Sequence, residues 1–395
     1  MIRFLTAGES HGKCLSLIIE GVPAGLLLSA QDINNDLARR QIGYGRGGRM
    51  KIESDKAEIT AGVRAGITLG SPIAVTIQNK DWENWQDVMS SDSEISDRRD
   101  SVAVTKPRPG HADLAGGIKY HHRDLRNILE RASARETATR VAVGAVVKRI
   151  LEEISIFVTS FVIQIGECSV CDLQLQDLSS KEALKEFQER LDNSPLRCPD
   201  LETEKCMIKA IDSAKNAGDS IGGIFQVMVF NVIPGLGSHV HWDRRLDARI
   251  AYALMSIPAI KGVEFGLGFE SAKRKGSQVH DEIFYESETG FYRKTNNAGG
   301  LEGGITNGEN IVVKAVMKPI PTLSSPLKSV DFVSKEPFLA AKERSDVCAV
   351  PAAGVVGEAM VAIEVANAVL EKFGGDNISE MKQAFKAYME YVSNI

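Results

Sequence analysis

Ser10 and His11 stand inside Gly8-Glu9-Ser10-His11-Gly12, directly after an apolar run from Ile2 to Leu5. A strand ending in such a turn would present an acid/base group. A neutral imidazole can give or take a proton near pH 7, and glycine lets a ligand approach the main chain closely. Alone, the pentapeptide also fits a surface turn with a solvated histidine. A second histidine, His111, follows Lys106-Pro107-Arg108-Pro109-Gly110, where the prolines stiffen its approach. Far along the chain, Arg344-Ser345-Asp346 sets a carboxylate near a cation. A cation favours the charged form, which suits a base, although a surface ion pair would look the same. Lys318-Pro319-Ile320-Pro321-Thr322 offers a cation, a hydroxyl and a rigid extended backbone, suited to gripping a phosphate tail or to a plain strand exit.

Positive charge is local in a chain whose formal net charge is −5. Arg39, Arg40, Arg46, Arg49 and Lys51 have no acid among them, and Arg131, Arg135 and Arg140 belong to a second basic group that begins at Lys106. A nucleic-acid binder would show a broad basic face. Clustered guanidinium forks in an acidic chain point instead to a small ligand carrying phosphate or carboxylate. No GxGxxG after a strand and no GxxxxGKS/T occurs, so the usual nucleotide signals are missing; there is no GxSxG elbow either. His121-His122 reads as support or surface. His239 and His241 alternate as on a strand, but no third ligand is evident and no metal is expected.

The elements that must position these residues are legible in outline. Strand patterns cover Leu15–Glu20, Ile73–Gln78, Ile156–Ile165, Gly223–Val232, Val263–Phe269 and Ile311–Met317. Ser29 with Asp32 caps a helix toward Arg40, and Ser133 with Glu136 caps one running to about Glu152. Asp243–Ile257 and Val355–Phe373 have helical period, the latter stopped by Gly374-Gly375. The segments 18–25 and 229–237 echo each other, each a strand followed by a Pro/Gly loop and a helix. Long Gly-rich or basic loops fall at 41–49, 81–117, 271–310 and 318–350, and loops of that length in a compact domain are usually functional.

Composition is that of a globular chain, with 43% hydrophobic and 25% charged residues in 395. No Ser/Pro-rich linker divides it, so the expectation is one large α+β domain over 1–395, with 168–218 as a peripheral excursion. No signal peptide is read and the longest apolar runs fall short of a membrane span, which predicts a cytoplasmic protein without membrane contact. Its six cysteines are then expected as free thiols. Cys168 and Cys171 have CxxC spacing, but Cys198 and Cys206 are spaced wrongly to complete a zinc ribbon.

To this point the residues leave open an acid/base enzyme, a non-enzymatic binder of anionic metabolites, and a phosphatase working through a phosphohistidine. Three motifs together narrow the choice: Gly8–Gly12 through Ile18-Ile19-Glu20-Gly21-Val22-Pro23, Glu130-Arg131-Ala132-Ser133-Ala134-Arg135-Glu136-Thr137, and Arg344-Ser345-Asp346 through Ala353, Glu358 and Ala359. With Arg108–Asp113 and Asn297-Ala298-Gly299-Gly300, they make the whole chain resemble the chorismate synthases; Ser16 departs from the family's usual residue. The resemblance implies a β-α-β sandwich and a homotetramer. It implies a lyase that eliminates phosphate from 5-enolpyruvylshikimate 3-phosphate, with reduced FMN but no net redox change. NADPH, or an external flavin reductase, would be the source of reducing power. By position, His11 resembles the acid that protonates the leaving phosphate, with Ser10 and Ser133 beside it. His111 resembles a proton carrier near the flavin, and Asp346 the residue on the path of the substrate proton. Arg40, Arg46, Arg49, Ala134, Arg135 and Arg344 resemble substrate-binding residues. Arg131, Ala132, Ser133, Ala259, Gly303, Lys318, Pro319, Ile320, Pro321, Thr322 and Arg344 resemble the FMN contacts.

Overall fold

Period-two burial builds the first sheet. In the strand Cys14–Glu20 (β2), Leu15, Leu17 and Ile19 are buried, while Ile18 and Glu20 face outward. It pairs antiparallel with Arg3–Ala7 (β1), Leu5 opposite Ile18. Ala57–Ala61 (β3) and Ile73–Gln78 (β4) complete a sheet of order β1-β2-β4-β3. The β1–β2 turn holds Ser10 and His11. Gly8 enters that turn at φ 115°, and a Cβ there would stand 2.5 Å from the Cys14 carbonyl oxygen, so the turn requires glycine. The computed structural model describes residues 1–47, 54–92, 103–171, 178, 180–287, 290–340 and 346–395.

A second antiparallel sheet contains Phe157–Ile165 (β5), Cys168–Ser169 (β6), Gly223–Phe230 (β7), Ile260–Phe265 (β8) and Ile311–Met317 (β9), in the order β8-β9-β7-β5-β6. Between the sheets lie helices Ala30–Gln41 (α1), Thr137–Glu152 (α3), Leu246–Met255 (α6) and Val350–Phe373 (α7); α3 packs on β1, β2 and β5, and α7 on β5 and β7. This is a β-α-β sandwich of the α+β class. Gly144 of α3 meets Ala359 of α7 so closely that a Cβ would lie 2.2 Å from the alanine's own, which fixes how near the two helices cross.

Several boundaries differ from the sequence expectation. The α7 helix begins at Val350 rather than Val355, with a proline at its first turn, where no backbone N–H is missed. It is long and apolar enough to cross a membrane, contrary to expectation, yet it is almost wholly buried in the core between the sheets. The expected strand over 263–269 ends at Phe265, because Gly266 and Gly268 turn the chain with positive φ. Ser133 caps a 3-10 turn, Ala134–Glu136, rather than closing a capping box: Glu136 pairs with Arg140 at 3.0 Å instead of folding back. The predicted helix over 243–257 divides into a 3-10 turn at Trp242–Arg244 and α6. Sequence reading passed over β3, Asp113–Tyr120 (α2) and Ile378–Ser393 (α8).

The excursion at 168–218 carries Lys181–Asn193 (α4) and Leu201–Asn216 (α5). Met207 and Ile211 of α5 join the main core, so this segment is partly integral. The expectation of six free thiols is corrected here. Packing of α5 on β6 brings Cys168 and Cys206 to a Cα separation of 5.9 Å, and they form a disulfide. Cys14, Cys171, Cys198 and Cys348 are free, and burial pushes the Cys348 thiol up to about 11.

The internal echo is a repeated hydrogen-bond unit. Leu26 N donates to Thr68 Oγ1 (3.0 Å), which donates to the Pro23 carbonyl (2.6 Å). Leu236 N donates to Thr306 Oγ1 (2.8 Å), which donates to the Ile233 carbonyl (2.7 Å). The backbones repeat too: Gly25 N donates to Thr68 O at 3.0 Å, and Gly235 N to Thr306 O at 2.9 Å. Each unit joins a strand, β2 or β7, to a half-buried helix, α1 or α6.

Candidate active site

A cleft of about 580 Å³ opens between the β1–β2 turn, the N-terminal end of α3, the 108–112 loop, the exit of β9 and the start of α7. Ser10 and His11 line one wall. Ser10 Oγ lies 3.0 Å from Ser133 Oγ, and Ser133 caps the 3-10 turn that leads into α3. His11 Nδ1 lies 2.9 and 3.0 Å from the two oxygens of Glu130, and the His11 backbone N donates to Glu130 Oε2 at 2.9 Å. The Trp85 ring stacks on the imidazole at 4.0 Å. Burial works against the Glu130 charge, but the His11 hydrogen bonds and Arg126, 3.4 Å away, hold its carboxyl below the usual range.

His111 lies on another wall of the same cleft, although 100 residues separate it from His11 in the chain. Its Nδ1 is 2.5 Å from Asp113 Oδ1. Arg108 grips the same carboxylate through Nε at 2.9 Å and stands 3.2 Å from the ring nitrogen. Asp113 is fully buried, which opposes its charge, yet the His111 and Arg108 hydrogen bonds hold its carboxyl far below the usual range. Lys318 Nζ donates to the Gly110 carbonyl at 2.6 Å, tying the histidine loop to the β9 exit.

Three arginines aim at the interior. Arg40 is only 4% exposed, and its Nη2 meets Asp55 at 2.9 Å. Its buried Nε has no hydrogen-bond partner among the described residues. Arg135 grips the other Asp55 oxygen, and its Nε donates to Asn79 Oδ1 at 2.9 Å. Asn79 in turn donates to the Gly12 carbonyl at 2.6 Å, so the arginine and the histidine turn share one support. Arg46 lies 3.3 Å from Asp346, which accepts from Gly47 N at 2.6 Å. Such a set of cations around an aspartate and two histidines can hold a multiply charged anion and move protons on it.

The structure therefore gathers Ser10, His11, Arg40, Arg46, His111, Ala132, Ser133, Ala134, Arg135, Ala259, Lys318, Ile320, Pro321, Thr322 and Asp346 around one cavity. It places three other candidates elsewhere. Arg131 turns away to the Thr6 and Gly8 carbonyls and lines a neighbouring hollow. Gly303 sits in the turn of the Leu301–Glu302/Ile305–Thr306 hairpin, beside His239. Pro319 packs at Gly222. Arg49 and Arg344 lie outside the described residues. Arg39, grouped with the site arginines by sequence, leaves α1 in a different direction and pairs with buried Glu358. Among the described residues no cluster of three His, Cys, Asp or Glu side chains could hold a metal ion.

Sequence reasoning passed over Glu130, Asp113, Asp55, Asn79 and Trp85 as site residues. Asp113 had a signal, being two residues from His111, and Glu130 stood inside a quoted motif. Asp55, Asn79 and Trp85 had none.

The family model described as chorismate synthase matches residues 2–370. Chorismate synthase of Aquifex aeolicus (strain VF5) is 58% identical over 394 residues, covering 100% of this chain and 98% of the relative. That of Syntrophotalea carbinolica is 60% identical over 392 residues, covering 99% and 98%. A solved crystal structure of chorismate synthase superposes with a TM-score of 0.79 at 50% identity, covering 100% of this chain and 99% of that one. Fold, cleft and full-length similarity agree: the chain belongs to the chorismate synthase family.

Proposed function

We propose that the chain is a lyase of the shikimate pathway that converts 5-enolpyruvylshikimate 3-phosphate to chorismate and phosphate by 1,4-elimination, with reduced FMN bound in the same cleft. The observation that carries this reading is the convergence of two carboxylate-tied histidines, an aspartate and three arginines on a cavity large enough for two ligands. A non-enzymatic binder would need the arginines but neither histidine.

The residues fit both ligands. The substrate carries one phosphate and two carboxylates, and Arg40, Arg46 and Arg135 supply the matching forks; the orphaned Arg40 Nε is a buried donor waiting for an acceptor. In the same cleft, Ile257, Pro258, Ala259, Ile260 and Met317 add apolar lining, next to Lys318 and Thr322. A flat ring system with a phosphate tail suits a lining of that kind. Ala259, Lys318, Ile320, Pro321 and Thr322 would hold the flavin, together with Ala132 and Ser133. When bound, reduced FMN supplies an electron-rich surface beside the substrate without net redox change.

The protein's own residues bind, orient and move protons. Arg40 and Arg135, bridged by Asp55, fix the substrate anions. His11 gives a proton to the departing phosphate, with Ser10 and Ser133 hydrogen-bonded beside it. Asp346, held by Gly47 N and Arg46, stands on the path of the ring proton. His111 is the second proton carrier, on the side of Lys318. Pre-placed cations that meet charge as it develops on the phosphate lower the barrier without reorganising at the moment of reaction.

This reading includes a cytoplasmic homotetramer, with NADPH or an external reductase keeping the flavin reduced. Anaerobic incubation with substrate and dithionite-reduced FMN should give chorismate and phosphate in equal amounts. Phosphate with dephosphorylated substrate and no chorismate would show a phosphatase instead. Turnover with NADPH and FMN but no dithionite would assign the reductase activity to this chain.

A further inference from the structure

We propose that Glu130 is a positioning residue for His11: its buried carboxylate keeps a proton on Nδ1, so that the proton the ring gives to the bound anion is the one on Nε2, and the Nδ1–H tautomer is what remains. The proposal rests on the reading of His11 as the group that meets the leaving phosphate, and goes beyond it by naming what makes one ring nitrogen the working atom.

Neutral imidazole has two tautomers, and which nitrogen carries the proton is set by the partner of the other. Glu130 can only accept when ionised. Its two oxygens lie 2.9 and 3.0 Å from Nδ1, and its side chain is 1% exposed, so water does not compete. The same residue grips the turn twice more: Oε2 accepts from His11 N at 2.9 Å, and its carbonyl accepts from Ser10 N at 3.0 Å. A rotation of the ring that exchanged its nitrogens would have to pass Trp85, stacked at 4.0 Å with planes 28° apart. Trp85 is itself anchored, its Nε1–H donating to Asp81 Oδ2 at 3.0 Å and the Arg126 guanidinium lying 5.1 Å from its ring centre.

The second histidine carries the same device on a different segment. His111 Nδ1 is 2.5 Å from the fully buried Asp113, and that carboxylate is again backed by an arginine, Arg108. A merely structural tie would have no reason to occupy the same ring nitrogen on both histidines of one cleft. In each case the buried carboxylate takes Nδ1, although His111 Nε2 also has Arg108 Nη2 at 3.5 Å.

The test is Glu130→Gln, which keeps the shape but adds a donor that can face Nδ1 and reverse the tautomer. Solid-state NMR of 15N-histidine-labelled full-length protein, with the His11 signals assigned by difference against His11→Asn, should show a protonated Nδ1 in the wild type and a shift toward Nε2–H in the variant. In the flavin-dependent assay kcat should fall about 10²-fold or more while KM stays within about threefold. Glu130→Asp, which keeps the charge, should recover part of kcat. A wild-type His11 with Nδ1 unprotonated would overturn the proposal even if Glu130→Gln failed to fold. Wild-type kcat in a folded Glu130→Gln protein would overturn it too. If His11→Ala itself kept near-native kcat, the reading of His11 as the acid would fail instead, while the tautomer measurement would still stand on its own.

Discussion

Arg40 and Arg135 hold opposite oxygens of the single buried carboxylate of Asp55. Burial, with Arg135 and Arg46 nearby, pulls Arg40 below the usual arginine range even though Asp55 opposes this. Removing Asp55 would leave two cations facing each other in a cavity built for an anion. Stripping one partner from a buried ion pair typically costs about 3–5 kcal/mol. Asp55→Ala should therefore lower the unfolding free energy in urea by about that amount, and inorganic phosphate should restore more stability to the variant than it adds to the wild type. Equal phosphate effects on both would show that the two arginines do not act together on an anion.

The two histidines should separate kinetically. Loss of a placed acid or base typically lowers the rate by about 10²–10⁴. His11→Ala and His111→Ala should each reduce kcat by roughly that factor while circular dichroism stays native. The His11 change should disturb phosphate inhibition, and the His111 change the spectrum of bound reduced FMN. A His111→Ala protein with wild-type kcat would reduce His111 to shaping the loop that Lys318 holds.

Glu358 gives a pH prediction outside the cleft. It is buried in α7, which alone would raise its pKa, but Arg39 at 2.7 Å and Lys148 at 2.7 Å hold its carboxyl well below the ordinary value. A depressed carboxylate contributes stability that is present above the unfolded pKa, near 4.3, and disappears as pH falls toward the folded one. Glu358→Gln should thus be strongly destabilised at pH 7, and the gap from wild type should shrink as pH drops below about 4. A gap independent of pH between 7 and 3 would mean that the charge is not what Glu358 contributes.

The Cys168–Cys206 bond spans a sequence separation of 38 and fastens α5 to β6. Loop-closure entropy for a separation of that size corresponds to about 4 kcal/mol. Under oxidising conditions Cys206→Ser should unfold at lower urea concentration than wild type, and a reducing agent should abolish the difference. Unchanged activity is expected, since neither cysteine touches the cleft. Identical unfolding curves in oxidant would show that the bond does not form in solution.

How much was readable in advance follows physical lines. Period-two burial made β4 and β9 legible to the residue, and a side-chain cap made α1 legible at Ser29. His11, His111 and Asp346 were legible because Gly, Pro and Arg around them advertise rigid, charged loops. Asp55, Asn79 and Trp85 were not, because their roles exist only after distant segments meet: Asp55 touches Arg135 across 80 residues, and Asn79 touches Gly12 across 67. The helix propensity of 39–40 could not say that neighbouring arginines diverge, Arg39 to the core and Arg40 to the cleft. The Cys168–Cys206 pair was missed for the same reason, since spacing suggested CxxC while packing of α5 chose another partner.

The proposed flavin-dependent elimination in this cleft is tested most directly by anaerobic phosphate release from 5-enolpyruvylshikimate 3-phosphate with purified protein, with and without dithionite-reduced FMN. Release, with chorismate, is expected only when reduced FMN is present. Equal release without flavin would contradict the proposal.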